Sequence, residues 1–338
     1  MSTTVDTGCP ADWHQLATFG PWAEELGFDS ICSAEVAHDP FLPLAIAAPH
    51  TRRVQLMTSI AVAFARTPMT MATVSWDLHA WTGGRLALGL GSQIKPHITR
   101  RFGMPWSEPA ARMREFVVAL RAIWDSWQNT APLSVEGRFY QHTLMTPMFD
   151  PGPIPAGPPK VLLAAVGTRM TEVAAEVGDG ILLHGFTTRR YAEEVTLPAL
   201  RAAREKVGRT LDDFEIRASP FVVCGTDEAS RAADVERVRS QIGFYASTPS
   251  YRPVLELHGW GDLGVELTAM TKRGEWDQLG SRIDDEVLDA FAIVAEPADL
   301  PAAYVERWAG IADRVSVPNA GLSEDVIAAV IQAVHGAA

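Results

Sequence analysis

One feature constrains this chain more than any other. Short, apolar, β-rich runs alternate with helical stretches along its 338 residues, and the alternation repeats eight times. Strands are expected at Ser2–Thr7, Asp29–Ser33, Val54–Val62, Arg85–Leu90, Lys160–Val166, Asp179–His184, Glu215–Cys224 and Arg314–Val317. The helical pattern is clear over Ala11–Leu26, with Gly27 placed as a left-handed cap. It recurs near Pro43–Ala48 and from Pro68, where Met71, Val74, Leu78 and Trp81 are expected to face inward. Further helices are expected over Glu108–Trp127, Thr171–Val177 and Leu322–Val334. Eight strands, each followed by helix, predict one α/β domain over 1–338. Its expected form is a (β/α)8 TIM barrel with insertions after strands 4 and 7.

Two features could suggest another architecture. The Pro/Gly-rich stretch 147–159 resembles a domain linker, but the same alternation resumes directly after it, so it reads as a long barrel loop. An open doubly wound sheet would announce itself by G-x-G-x-x-G after a strand. Here Gly89-Leu90-Gly91-Ser92-Gln93-Ile94 lacks the third glycine, and no phosphate-loop Lys-Ser/Thr follows.

Composition narrows the function. Hydrophobic residues make up 47% and charged residues 21%, as in a globular enzyme with a large core. The net charge of −12 argues against nucleic acid and against anionic membranes as partners. Three cysteines (Cys9, Cys32, Cys224), with no C-x-x-C, suggest neither disulfides nor zinc; Cys32 and Cys224 lie in apolar runs and are expected to be buried. No apolar run reaches 18 residues and no basic-then-apolar leader is seen, so a cytoplasmic protein is expected.

In a barrel of this kind chemistry lies on the loops after the strands. Strand two runs into Ser33-Ala34-Glu35-Val36-Ala37-His38-Asp39-Pro40. His38 is the candidate for proton transfer or substrate contact, because imidazole titrates near working pH. Glu35 either lines the pocket with it or anchors the loop to an arginine, and Asp39 is expected to cap the next helix. Small residues after strand three (58–63), and Gly91, Ser92 and Gln93 after strand four, let a flat ligand approach the backbone. Lys95, His97, Arg100 and Arg101 form a basic group suited to an anionic cofactor tail or to surface ion pairs. After strand five, Ala164-Ala165-Val166-Gly167-Thr168 leads into a helix whose N-terminus is an anion site. His184 and Gly185 end strand six; His184 either touches a cofactor or is a hydrogen-bonded structural residue. No metal-ligand spacing and no G-x-S-x-G elbow is present.

Five stretches together resemble the bacterial luciferase-like monooxygenase superfamily, in its F420-dependent oxidoreductase branch. They are AEELGFDSI (23–31), HTRRVQLMTSIAV with RTP (50–68), GGRLALGLGS (83–92), AARMREFVVALRAIWDSW with EGRFYQ (110–141), and PPKVLLAAVGTRMTEVAAEVGDGILLHG (158–185). The resemblance implies a reduced flavin or deazaflavin in the barrel mouth. Ser59-Ile60 would form a bulge behind the ring, which in relatives often holds a non-prolyl cis peptide. Gly91 and Ser92 would lie beside the ring, and residues 164–168 would hold the phosphate.

The sequence departs from the family in two places. Val36 stands where many relatives have histidine, and Gln93 and Ile94 occupy a region where some F420 relatives carry a glutamate. The expected activity is hydride transfer between C5 of coenzyme F420 and a small organic substrate. The alternatives are an FMN-dependent monooxygenase fed by a separate flavin or F420 reductase, and a non-catalytic flavin-binding barrel. A homodimer is expected, with Trp76, Trp81 and the helix around Met69–Leu78 as one candidate face.

Overall fold

The computed structural model describes residues 3–337, so Ser2, the expected first residue of strand one, lies outside them. Eight parallel strands form a closed ring: β1 (Thr4–Gly8), β2 (Ser30–Ser33), β3 (Gln55–Thr58), β4 (Leu86–Gly91), β5 (Lys160–Ala165), β6 (Gly180–Leu183), β7 (Glu215–Ala218) and β8 (Arg314–Ser316). Each pairs with its chain neighbour, and β8 pairs with β1 through Thr4–Arg314, Val5–Val315 and Asp6–Ser316, which closes the barrel. The longest connections follow β4 (92–159) and β7 (219–313).

Alternation along each strand sends one side chain inward and the next toward the helices. The outward set, including Ile31, Leu56, Leu88, Leu163 and Ile181, merges with the helices into one large core. The inward set contains a small apolar cluster of Cys32, Met57, Ala87, Leu162 and Leu182.

Two expected strands are each broken in two, for physical reasons. Strand three stops at Thr58 and resumes as Ala61–Val62. Met57 pairs with Ala87 and Ala61 with Leu90, so residues 58–60 oppose only residues 88–89. That surplus residue is a β-bulge, and the Ser59–Ile60 peptide within it is cis. Gly89 is required opposite: a Cβ there would lie 1.9 Å from the Thr58 carbonyl oxygen. Strand seven leaves the barrel at Ser219-Pro220. Proline cannot donate to the ladder, and Phe221–Val223 turns away to pair with Ala292–Val294.

Helix Leu16–Leu26 ends at Gly27 with φ +99°, as expected, and Cys32 and Cys224 are buried. The helix Pro68–Trp81 corrects one expectation. Its buried face centres on Ala72, Ser75, Trp76 and His79, with Met71 and Leu78 beside it. Trp81, five residues past Trp76 and hence about 140° around the helix, is 62% exposed. Trp76 is buried edge-on to Trp127, 5.5 Å between ring centres, so of the two tryptophans only Trp81 is open to a second copy. No helix among the described residues is long and apolar enough to cross a membrane.

Candidate active site at the barrel mouth

The C-terminal ends of the eight strands gather the loops singled out above around one opening. The loop after β2 is fixed first. Its Glu35 N–H donates to the Ile60 carbonyl, and the Glu35 carboxylate accepts from the Val62 N–H (2.7 Å) and from Arg66 Nη1 (2.6 Å). Arg66 also binds Asp39 through Nη2 at 3.0 Å, while Asp39 Oδ1 caps the helix Leu42–Ala47 at the Phe41 and Leu42 N–H groups. Glu35 is thus an arginine-held anchor between the β2 loop and the β3 bulge. His38 is exposed on the same loop, with its ring edge-on to Trp13, 5.2 Å between centres. The structure therefore separates the roles of Glu35 and His38: one is buried and committed, the other is free.

The floor of the mouth is the bulge. Ser59 Oγ accepts from Arg217 Nη1 at 3.2 Å, which ties the bulge to β7. Ile60 packs against the backbone of Gly91, where a Cβ would come within 2.8 Å of Ile60 Cδ1. Ser92 hydrogen-bonds to the Gln93 carbonyl, and Gln93 holds a left-handed backbone (φ +56°) with its amide oxygen 3.1 Å from His97 Nδ1. Arg101 donates to the Val36 carbonyl and so links the β4 connection to the β2 loop.

Beside this floor, Ala164 and Ala165 end β5 and Val166 leads to Gly167, the N-cap of helix Thr168–Val177. Gly167 caps without a side chain, and its carbonyl takes the N–H groups of Met170 and Thr171. The first-turn N–H groups of Thr168 and Arg169 lie above it, uncapped by any side chain. No atom lies within 4 Å of where a Gly167 Cβ would stand, and the first turn has no acid and one arginine. An open, positive cradle of this kind fits a phosphate group.

His184 completes the rim. Ile181 and Leu183 face outward and Leu182 inward, so alternation returns His184 to the inner side, just past the end of β6. Its Nδ1 accepts from the Phe186 N–H at 2.9 Å, which leaves the ring proton on Nε2. Tyr245 stands edge-on to it at 4.5 Å and Tyr251 leans over it at 4.9 Å. Burial pushes the His184 imidazole down to about 4, so it is neutral across the physiological range. Gly185 is pressed between the Ser219 carbonyl and Phe221.

Beneath the mouth lies a polar network inside the barrel. Asp6, fully buried, accepts from Arg217 Nε (2.5 Å), Arg314 Nη2 (2.8 Å) and Ser30 Oγ (2.6 Å). Arg217 reaches on to Ser219 Oγ at 2.7 Å and Cys32 Sγ at 3.4 Å. Burial raises the Asp6 carboxyl, but Arg217 and then Arg314 outweigh it and hold the group below the usual carboxylate range.

Sequence reasoning missed Asp6, Arg217 and Arg314, and it missed Trp13, Tyr245 and Tyr251. A charged residue inside an otherwise apolar strand was the available signal for the first three. For the aromatic residues there was none: Trp13 follows β1, while Tyr245 and Tyr251 come from the long helical connection after β7. Among the described residues no group of three or more His, Cys, Asp or Glu side chains is placed to hold a metal ion.

Comparison with known proteins agrees with this geometry. The profile of the luciferase-like monooxygenase family matches residues 2–314. An uncharacterised protein of Mycobacterium tuberculosis is 51% identical over 97% of this chain and 96% of its own length. The 5,10-methylenetetrahydromethanopterin reductase of Archaeoglobus fulgidus is 27% identical over 85% of this chain and 84% of its own. Among solved structures, the coenzyme F420-dependent tetrahydromethanopterin reductase of Methanopyrus kandleri superposes with a TM-score of 0.77 at 19% identity, covering 98% of this chain and 97% of that one. The barrel, its mouth and these matches lead to one conclusion: the chain belongs to the luciferase-like monooxygenase family and is an oxidoreductase.

Proposed function

We propose that this protein is a coenzyme F420-dependent oxidoreductase that moves a hydride between the deazaflavin and a small organic substrate. One observation carries the choice of cofactor. Lys95, Arg100, Arg101 and Arg169 form no ion pair with an acidic side chain among the described residues, although the chain carries a net charge of −12. They follow the neighbouring strands β4 and β5. Unneutralised positive charge at that place suits a cofactor whose tail carries carboxylates as well as a phosphate. The coenzyme F420-dependent reductase whose fold this chain shares supports the same reading.

When bound, the deazaflavin supplies the hydride at C5; the protein supplies position and electrostatics. Gly167, Thr168 and Arg169 would hold the phosphate, with Ala164, Ala165 and Val166 beside it. Ser59, Ile60, Gly91 and Ser92 would form the shelf under the ring, and Gln93 and His97 would border it. His38 would contact the substrate or move its proton at the imidazole, with Trp13 limiting the rotation of its ring. Glu35 would keep that loop in place through Arg66.

The test is a binding titration of the purified protein with F420 and with FMN. The expected result is that F420 binds at least tenfold more tightly, and that Arg169→Ala weakens it. Tight FMN binding with no F420 binding overturns the proposal. It would favour a second reading, a flavin monooxygenase served by a separate reductase, which the family itself includes. Flavin-dependent oxygen uptake would then be measurable.

A further inference from the structure

The two sides of the mouth differ in charge. On the β4–β5 side stand Lys95, Arg100, Arg101 and Arg169. On the β6–β7 side the one inward cation, Arg217, is buried and paired with Asp6, and the other inward groups at the mouth are uncharged. His184 is neutral, Tyr245 and Tyr251 pack on it, and Phe186 and Phe221 pack against those two rings. Thr187 and Thr188 are buried below, the latter hydrogen-bonded to His258. The arginines of the adjoining helix turn elsewhere: Arg189 to Glu193 and the carbonyls of residues 306, 307 and 309, and Arg190 to Glu194.

This aromatic wall has polar points with nothing to do inside the protein. His184 Nδ1 is committed to the Phe186 N–H, but its Nε2–H has no acceptor among the described residues. The hydroxyls of Tyr245 and Tyr251 likewise donate to no described group, and burial raises both phenols, that of Tyr251 to about 12, so both keep their protons. Three neutral donors on an aromatic surface accept an oxygen atom without requiring charge. A carboxylate or phosphate placed there would lose its water and meet only Arg217, whose charge Asp6 already balances, which is costly.

We propose that the face formed by His184, Tyr245 and Tyr251 is the substrate wall. It takes an uncharged molecule with an apolar or aromatic body and one carbonyl or hydroxyl oxygen, bound to the His184 Nε2–H. This rests on the oxidoreductase reading above and assigns its substrate class: neutral aldehydes, ketones or alcohols, rather than sugar phosphates or organic acids. His184 is then a substrate-binding residue rather than a cofactor ligand.

Benzaldehyde and benzoate test this directly, because they share a ring and differ in charge. Their binding to the F420-loaded and the cofactor-free protein is measured calorimetrically. Benzaldehyde is expected to bind at least tenfold more tightly than benzoate in the loaded protein. His184→Ala should weaken benzaldehyde about tenfold, while His184→Gln, which keeps an N–H donor, should restore most of the loss; F420 affinity should be unchanged in both. Tyr251→Phe, which keeps the ring, should weaken benzaldehyde by a smaller factor and serves if His184→Ala does not fold. Benzoate binding equal to or tighter than benzaldehyde, no binding of either, or unchanged benzaldehyde affinity in the variants overturns the inference. Failure of F420 itself to bind wild-type protein would instead count against the proposed function.

Discussion

From β7 round to β2 the inside of the barrel is joined by charge: Asp6, Arg217 and Arg314 with Ser30. From β3 to β6 the interior holds an apolar cluster of Met57, Ala87, Leu162 and Leu182, with Cys32 of β2 beside it. The apolar half needs only volume. The polar half needs every partner in place, since a buried charge that loses its counter-charge is far worse than a cavity. The half that includes Ser59's tether is therefore the more exacting one, and its precision is passed to the floor of the mouth through Arg217.

The comparison can be broken at either half. Asp6→Asn leaves two buried guanidinium groups facing a neutral amide, and is expected to cost about 3–5 kcal/mol in urea unfolding. A loss under about 1 kcal/mol would mean that the network is solvated and the contrast unreal. Leu162→Ala, in the apolar half, should cost about 2–4 kcal/mol through transfer and cavity terms, with F420 affinity kept.

Acidification separates the halves by pH. The folded-state pKa of His184 is depressed to about 4 against about 6.5 unfolded, so below 6.5 the unfolded chain binds the extra proton. The stability from this histidine is complete above pH 6.5 and falls away between 6.5 and 4, by about 3 kcal/mol in all. His184→Gln should flatten that part of the profile. Asp6 is a carboxyl with a depressed pKa, so its contribution is present above the normal carboxylate range and disappears only at lower pH. One limb instead of two in the melting-temperature profile would contradict this. The smallest change is Ser30→Ala, which removes one hydrogen bond to Asp6 and should cost about 1 kcal/mol.

Much of the fold was legible because it is local. Strand and helix periodicity, Gly27 past its helix and Pro68 at the start of another each act within a few residues. The helix start at Gly167-Thr168, proposed above to hold a phosphate, was readable for the same reason: a strand, a glycine and a helix start adjoin in sequence. The bulge in strand three was expected only through the family resemblance, since a bulge shows only against its partner's register, and Pro220 was the one local mark of the break in strand seven. The members of the polar network were signalled only as charges inside strands, and their pairing was not legible. Asp6 meets Arg217 across 211 residues and Arg314 across 308, and no window of sequence joins them. Trp81 was misplaced because seven-residue spacing from Val74 mimics a buried stripe, whereas the real buried face is centred on Trp76.

The Asp6–Arg314 pair also has a consequence in time. Arg217 is made 211 residues after Asp6, and Arg314 308 residues after it. At about 5–20 residues per second that is roughly 15–60 s. Through that interval the N-terminal strand holds a carboxylate that has no place in an apolar interior. Burying it before either arginine is made would leave it without a counter-charge, so β1 is expected to enter the barrel interior only once Arg217 and Arg314 can join it.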